Sequence, residues 1–96
     1  MFDADRIVID AAVQEFHEAY TRNYGSLNPE YGRILAWAGR MALEQISQTD
    51  ALYHNMEHTL IVTLVGQDIL RGRHMREGSV SPRDWLHFII SLLLHL

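Results

Sequence analysis

A chain of 96 residues, 48% hydrophobic and 21% charged, is long enough for one compact domain and too short for two independent cores. Its formal net charge of −4 argues against general binding to nucleic acid or to an anionic membrane surface, since both depend on clustered basic side chains. Without cysteine, a disulfide, a thiolate nucleophile and a zinc–thiolate site are excluded, so any metal would be bound by imidazole and carboxylate groups.

The N-terminal sequence MFDADRIVID carries acids where an export signal needs a basic stretch and then an apolar run. The most apolar segment, from Trp85 to Leu96, is about half of the roughly 20 residues that span a bilayer. We therefore expect a cytoplasmic protein with no membrane partner and no nucleic-acid partner.

The first half of the chain predicts two helices. Asp3 and Asp5 are candidate caps for a first helix, and Gly25-Ser26 ends it. Asn28-Pro29 combines a side-chain cap with a proline at the first helical position, and the second helix closes near Gln48. The apolar residues that recur at three- to four-residue spacing, and so share one face of their helix, are Ile9, Val13, Phe16 and Tyr20 in the first helix and Ile34, Ala38, Ala42 and Ile46 in the second.

The second half predicts two more helices. Asn55 is the expected cap of a third helix that is apolar from Met56 to Leu70, and Gly78 interrupts it. Ser81-Pro82, with Asp84 in the first turn, begins a fourth helix that continues to the end of the chain. No strand pattern competes, so the fold class is all-α, a four-helix bundle forming a single domain over residues 1–96.

The fourth helix is apolar around its whole circumference and ends without a glycine, a basic last turn or a polar tail. Three other helices are too few to cover it. We therefore expect the chain to be the N-terminal part of a larger domain, truncated at its C-terminal end. In isolation it should self-associate as a homodimer or a domain-swapped pair.

Six histidines are a high count for this length, and imidazole is the commonest nitrogen ligand of metals. At about 100° per residue, His58 shares a side with four apolar residues, which predicts that it faces the core. His95 is predicted to face the core on the same argument. The residues grouped with His58 are Ile61, Val62, Val65 and Ile69, and those grouped with His95 are Asp84, Phe88, Ser91 and Leu92.

Two buried imidazoles from separate helices can satisfy their ring nitrogens by binding one shared cation. A plainer interpretation stays open for each residue. A histidine pair spaced by four on a helix is more often a satisfied core or surface pair than a metal site. Tyr53 can be a packed aromatic residue and Asn55 simply a helix cap.

The string Tyr53-His54-Asn55-Met56-Glu57-His58, followed by an apolar helix, a second capped helix and Leu92-Leu93-Leu94-His95, resembles the opening half of an HD domain. It is most similar to the YHN-x-x-H form shared by cyclic-nucleotide phosphodiesterases and many bacterial HD hydrolases. The resemblance covers about Tyr53 to His95. It implies a divalent metal ion, of unknown identity, held by a first histidine, a His-Asp pair and a later aspartate, which activates water for attack on a phosphoester.

By this resemblance His58 is the first metal ligand, His95 is the histidine of the His-Asp pair, and His54 is the catalytic general acid. Tyr53 and Asn55 are candidates for substrate binding. Where the pattern requires aspartate after His95 the chain has Leu96, and the later aspartate has no counterpart. We therefore expect weak or no metal binding and no activity in these 96 residues, and activity in a full-length parent.

The expected function is thus the N-terminal portion of a metal-dependent phosphohydrolase that cleaves a phosphoester or phosphoanhydride of a nucleotide or small phosphorylated metabolite. The alternative is a catalytically inactive regulatory or interaction module on an HD scaffold, with the apolar last helix as the partner surface. A third possibility is an unrelated helical bundle in which the YHN-x-x-H string is coincidence.

Overall fold

The structure is a computed structural model that describes residues 3–48 and 52–94. It is a four-helix bundle, which confirms the all-α class, and the described residues contain no strand. The helices are α1 (Ala4–Tyr24), α2 (Pro29–Ser47), α3 (Leu52–Glu77) and α4 (Pro82–Leu93). None of these four, as described, combines the length and the apolar run needed to cross a membrane.

Helix α1 begins and ends where the sequence predicts. The Asp3 carboxylate accepts a hydrogen bond from the Arg6 backbone N–H at 3.2 Å, which satisfies one free donor of the first turn. At the other end the Gly25 N–H donates to the Thr21 carbonyl at 2.7 Å. Gly25 has a positive φ of 59°, which glycine adopts without steric cost because it has no Cβ atom.

Helix α2 begins at Pro29, but the predicted side-chain cap by Asn28 is wrong. Asn28 has φ 48°, a left-handed backbone instead of the extended one typical of a capping residue, and its side chain makes no capping hydrogen bond. Its amide instead donates to Glu30 Oε1 at 3.4 Å. Helix α2 ends at Ser47, with Gln48 as its C-terminal cap, as predicted.

Helix α3 begins at Leu52, three residues before the predicted cap, so the expectation that Asn55 caps it is wrong. Asn55 is an exposed residue inside the helix. No glycine or proline lies between Leu52 and Asn55 to interrupt the first turn of the helix. The other end agrees with the sequence, since α3 stops at Glu77 and Gly78 follows with φ 64°.

Helix α4 has the predicted start, with a complete capping box. The Ser81 hydroxyl accepts from the Asp84 N–H at 3.0 Å, and the Asp84 carboxylate accepts from the Ser81 N–H at 3.3 Å. The bundle covers more of α4 than the sequence led us to expect. Its buried residues are Trp85, Leu86, Ile89 and Leu93, and Phe88 and Leu94 are exposed.

Contacts between the helices define an up-down-up-down arrangement. Asp10 pairs with Arg40 at 2.9 Å, and the His17 ring lies against Gly32 near the start of α2, so α1 and α2 are antiparallel. The Gln67 amide donates to Glu15 in the middle of α1, and the ring of Tyr24, at the end of α1, lies 5.0 Å from that of His74. Helices α1 and α3 therefore run in the same direction. The largest fully buried side chains are Trp85, Tyr20, Phe16, Leu35, Leu43, Met56, Ile89, Leu93 and Thr63.

Candidate metal site

Helix α3 buries polar residues beside the apolar Met56 and leaves other apolar residues exposed. Its buried residues include Thr59, Thr63 and Gln67, whose spacing of four places them on one side of the helix. The exposed residues include Ile61, Val65 and Ile69. His58 is exposed as well, so the prediction that it faces the core is wrong.

The buried polar side of α3 is only partly satisfied. Gln67 Nε2 donates to Glu15 Oε2 at 3.1 Å, and the same carboxylate oxygen accepts from Arg22 at 2.7 Å. Thr63 Oγ1 and Gln67 Oε1 are buried without a hydrogen-bond partner in the described part of the chain. A buried polar atom without a partner costs about 1–3 kcal/mol, so we expect these two oxygens to offset part of the stability that α3 gains from packing.

Helices α3 and α4 meet along a seam at Gly66. A Cβ atom at Gly66 would contact the Leu92 side chain and come within 3.4 Å of the Phe88 ring, so a larger residue could not allow this approach without a shift. On both helices the core lies to one side of the seam and solvent to the other. We call the solvent side the outer face of the seam; its residues are His58, Ile61, Val65, Ile69, Phe88 and Ser91.

Two residues of the predicted site can be followed at the side-chain level, and both His58 and Asn55 are exposed. The backbone of Tyr53 and His54 belongs to α3, but their side chains lie outside the described part of the structure. His95 lies outside the described residues. The structure therefore tests neither the distance from His58 to His95 nor the role of any of these residues.

The face of α4 on which the sequence placed His95 is also not buried. Asp84, Phe88 and Ser91 are exposed and Leu92 is half-buried, so the argument that this face points into the core is wrong. The physical reason is the same as for His58: periodicity identifies the residues that share a side, and the neighbouring helices decide which side they cover. Both predicted ligand faces nevertheless border the same seam.

The end of the bundle that contains the start of α3 is acidic. The helix directions bring the beginnings of α1 and α3 and the ends of α2 and α4 to this end. Within the described residues its acids outnumber its two arginines, Arg6 and Arg40. The acids are Asp3, Asp5, Asp10, Glu44 and Glu57. A field of this sign attracts cations.

The described residues do not by themselves form a metal site. In residues 3–48 and 52–94 no group of three or more histidine, aspartate or glutamate side chains could hold a metal ion. Of the proposed ligands, only His58 has a described side chain. It is an exposed imidazole at the acidic end, which is compatible with a ligand role and not sufficient for a site.

Sequence reasoning missed the polar side of α3, although the spacing of four from Thr59 through Thr63 to Gln67 was readable. It also missed a packed cluster around Tyr24. The Tyr24 hydroxyl donates to the Val80 carbonyl at 2.7 Å, and its ring lies 6.0 Å from that of Trp85. Burial, with smaller effects from Tyr20 and Asp84, raises the pKa of Tyr24 to about 12. Its contacts indicate a structural role.

The described residues form a small all-α four-helix bundle in which His58 is exposed beside the seam between α3 and α4. The chain belongs to the Npun_R2479-like family, whose model matches residues 2–96. No curated protein and no solved structure matches the chain.

Proposed function

We propose that this chain is the N-terminal portion of a cytoplasmic, metal-dependent phosphohydrolase of the HD-domain superfamily. Its substrate would be a phosphoester or phosphoanhydride of a nucleotide or small phosphorylated metabolite. The observation that best supports the proposal is the exposed position of His58 on the outer face of the seam between α3 and α4. Helix α3, which contains His58, and helix α4, which ends two residues before His95, are direct neighbours there.

In this proposal His58 and His95 contribute imidazole ligands, and carboxylates beyond those of the described residues complete the set. A divalent ion held in this way would lower the pKa of bound water and polarise the phosphoryl oxygens. His54 lies four residues before His58 on the same helix, and therefore on the same side of α3. Its proposed role is to give a proton to the leaving oxygen.

The charge distribution supports a requirement for metal. A phosphorylated substrate is anionic, and the end of the bundle near His58 carries more carboxylates than basic groups. Of the two arginines at this end, Arg40 is already paired with Asp10 at 2.9 Å. Because so little positive charge is available from side chains, a bound cation would have to neutralise the substrate.

The apolar residues beside His58 also fit the proposal. Ile61, Val65 and Ile69 are each more than half exposed, which is costly for a surface that stays in water. In an HD hydrolase this face would be covered by further helices of the same domain, which would also bring the missing aspartates. The outer face is then the floor of a site instead of a free surface.

The test is metal analysis and phosphatase assay of the protein expressed with the natural sequence that follows residue 96. We expect bound divalent metal and hydrolysis of a phosphomonoester, a cyclic nucleotide or a nucleoside triphosphate. His58→Ala should lose both the metal and the activity, whereas His54→Ala should keep the metal and lose activity. His87→Ala, an exposed histidine of α4 away from the outer face, is the matched control. Full metal content in the His58→Ala protein would contradict the proposal.

The second candidate is a regulatory or interaction module that retains the scaffold without chemistry. The exposed apolar residues of α3, Ile61, Val65 and Ile69, favour it because they suit a protein partner as well as a further helix. A natural sequence without aspartate after His95 would support this candidate. So would the longer protein used in the metal test, if its melting temperature does not change when zinc, manganese or magnesium is added.

A further inference from the structure

Helix α2 carries a second exposed apolar surface, on a side of the bundle that the proposed function does not use. Ile34, Trp37 and Met41 are 38%, 65% and 51% exposed, respectively. Their spacing of three and four places them in one line along the helix, and we call this line the α2 stripe. The opposite side of α2 faces the core through Leu35, Ala38, Gly39, Ala42 and Leu43.

The exposure of Trp37 is the most unusual feature of the α2 stripe. Tryptophan is highly buried on average, and aromatic residues and methionine are enriched in protein interfaces. The other tryptophan of the chain, Trp85, is completely buried. Because the core of α2 is already filled by its other side, no rotation of the helix within the bundle could bury Trp37 without exposing that side.

The charges at the two ends of the stripe indicate what covers it. Arg33 precedes the stripe and Glu44 follows it, and both are exposed. Within the described residues Arg33 has no ion pair, and the contact of Glu44 with Arg40 is long, at 3.8 Å. A second α2 packed in the antiparallel direction brings unlike charges together at both ends. A parallel α2 would bring Arg33 against Arg33 and Glu44 against Glu44.

We propose that a second copy of this chain packs on the α2 stripe, with the two α2 helices antiparallel about a two-fold axis near Trp37 and Ala38. In this arrangement Ile34 lies opposite Met41 of the second copy, and Arg33 lies within one helical turn of Glu44 of the second copy. The two Trp37 rings meet near the axis. The sequence predicted self-association through α4, whereas this arrangement uses α2.

The dimer is weak. Three apolar side chains and their charged borders offer less area than the roughly 800 Å² per partner of a standard stable interface. We therefore expect a dissociation constant in the micromolar range, so that dimer and monomer are both measurable. The proposal does not rest on the hydrolase function, because the dimer forms from these 96 residues without metal or substrate.

Sedimentation equilibrium of the 96-residue chain, from low to high micromolar concentration, tests the proposal. Trp37→Glu should raise Kd by at least about tenfold, since a charge replaces the central aromatic contact. Ile69→Glu, on the outer face of the seam, is the matched control and should leave Kd unchanged. A wild-type chain that stays monomeric, or a dimer lost in Ile69→Glu and kept in Trp37→Glu, overturns the proposal.

A charge exchange tests the antiparallel direction. Arg33→Glu and Glu44→Arg should each raise Kd by about three- to tenfold, and the double variant should return it to near the wild-type value. A double variant that dimerises as weakly as either single variant overturns the proposed arrangement.

If Trp37→Glu fails to fold, iodide quenching of the wild-type tryptophan fluorescence replaces it, because Trp37 is exposed and Trp85 is buried. Quenching must weaken as protein concentration rises; constant quenching overturns the proposal.

Discussion

Helix α1 turns its apolar side to the core, whereas α3 turns much of its apolar side to solvent. In α1 the buried residues include Ile9, Phe16 and Tyr20, and hydrophobic burial accounts for the position of the helix. In α3 the completely buried Thr63 lies inside while Val65 is half exposed. The comparison teaches that packing within this bundle accounts for the position of α1, whereas the same packing leaves part of the apolar surface of α3 exposed.

The largest expected effect contrasts two phenylalanines. Phe16 of α1 is completely buried, and Phe88, on the outer face of the seam, is 37% exposed. Phe16→Ala should lower the free energy of unfolding by about 3–5 kcal/mol, because it leaves a cavity in the core. Phe88→Ala should cost less than half as much. Urea denaturation monitored by circular dichroism measures both, and equal losses would show that the outer face belongs to the core.

Two glycines give the next contrast. A Cβ at Gly39 would lie 2.7 Å from the buried Phe16 ring, whereas a Cβ at Gly66 would meet the flexible end of the Leu92 side chain. Gly39→Ala should therefore destabilise by about 1–2 kcal/mol, even after a gain of about 1 kcal/mol in helix propensity. Gly66→Ala should stay within about 1 kcal/mol of wild type, because Leu92 can rotate away. Urea denaturation measures both changes, and a larger loss of stability in Gly66→Ala than in Gly39→Ala would contradict the prediction.

Both ends of α1 and the start of α4 were predictable from sequence because they depend on local chemistry. Asp3, Gly25 and the Ser81-Pro82 pair each satisfy or end the backbone hydrogen bonds of their own helix, whatever packs around them. The start of α3 was misplaced because Asn55 can cap a helix only where the preceding residues are not helical.

The orientation of α3 was not predictable in this way. A helical wheel shows which residues share a side, and His58 does share its side with Ile61 and Val65. It does not show which side is covered when both carry apolar residues. On α3 the competing inner side has Met56, Leu60, Leu64 and Leu70, all buried or half-buried. Candidate ligands on such a helix can be named from sequence, but their direction comes from the neighbouring helices.

Tyr24 lies where the end of α1 contacts the start of α4, and it can be used to examine that end of the bundle. Tyr24→Phe removes the hydrogen bond to the Val80 carbonyl and should cost about 1 kcal/mol at neutral pH. The pKa of Tyr24 is raised from 10.0 to about 12 in the folded chain, so its contribution is complete below pH 10 and is lost as pH rises toward 12. The variant should therefore lose stability less steeply over this range.

In Tyr24→Phe the free energy of unfolding should still fall as pH rises, but less steeply than in wild type, because burial also raises the pKa of Tyr20. Tyr31→Phe is the matched control, since Tyr31 is half-buried and packs on the same Tyr20 ring at 6.2 Å. Urea denaturation at neutral pH and at several pH values above 10 gives both quantities. If the free energy of unfolding falls equally steeply with pH in wild type and in Tyr24→Phe, ionisation of Tyr24 is not the cause of the fall.

The smallest expected effect tests the polar side of α3 directly. Thr63→Val replaces a buried hydroxyl that has no hydrogen-bond partner among the described residues, and it should stabilise the chain by about 0.5–1 kcal/mol. The reverse change on the exposed side, Val65→Thr, should alter stability by less than about 0.5 kcal/mol. A loss of stability in Thr63→Val would mean that the hydroxyl is satisfied inside the bundle. The polar side of α3 would then help to hold the helix in place, and packing within these four helices would be enough to explain why Ile61, Val65 and Ile69 face solvent.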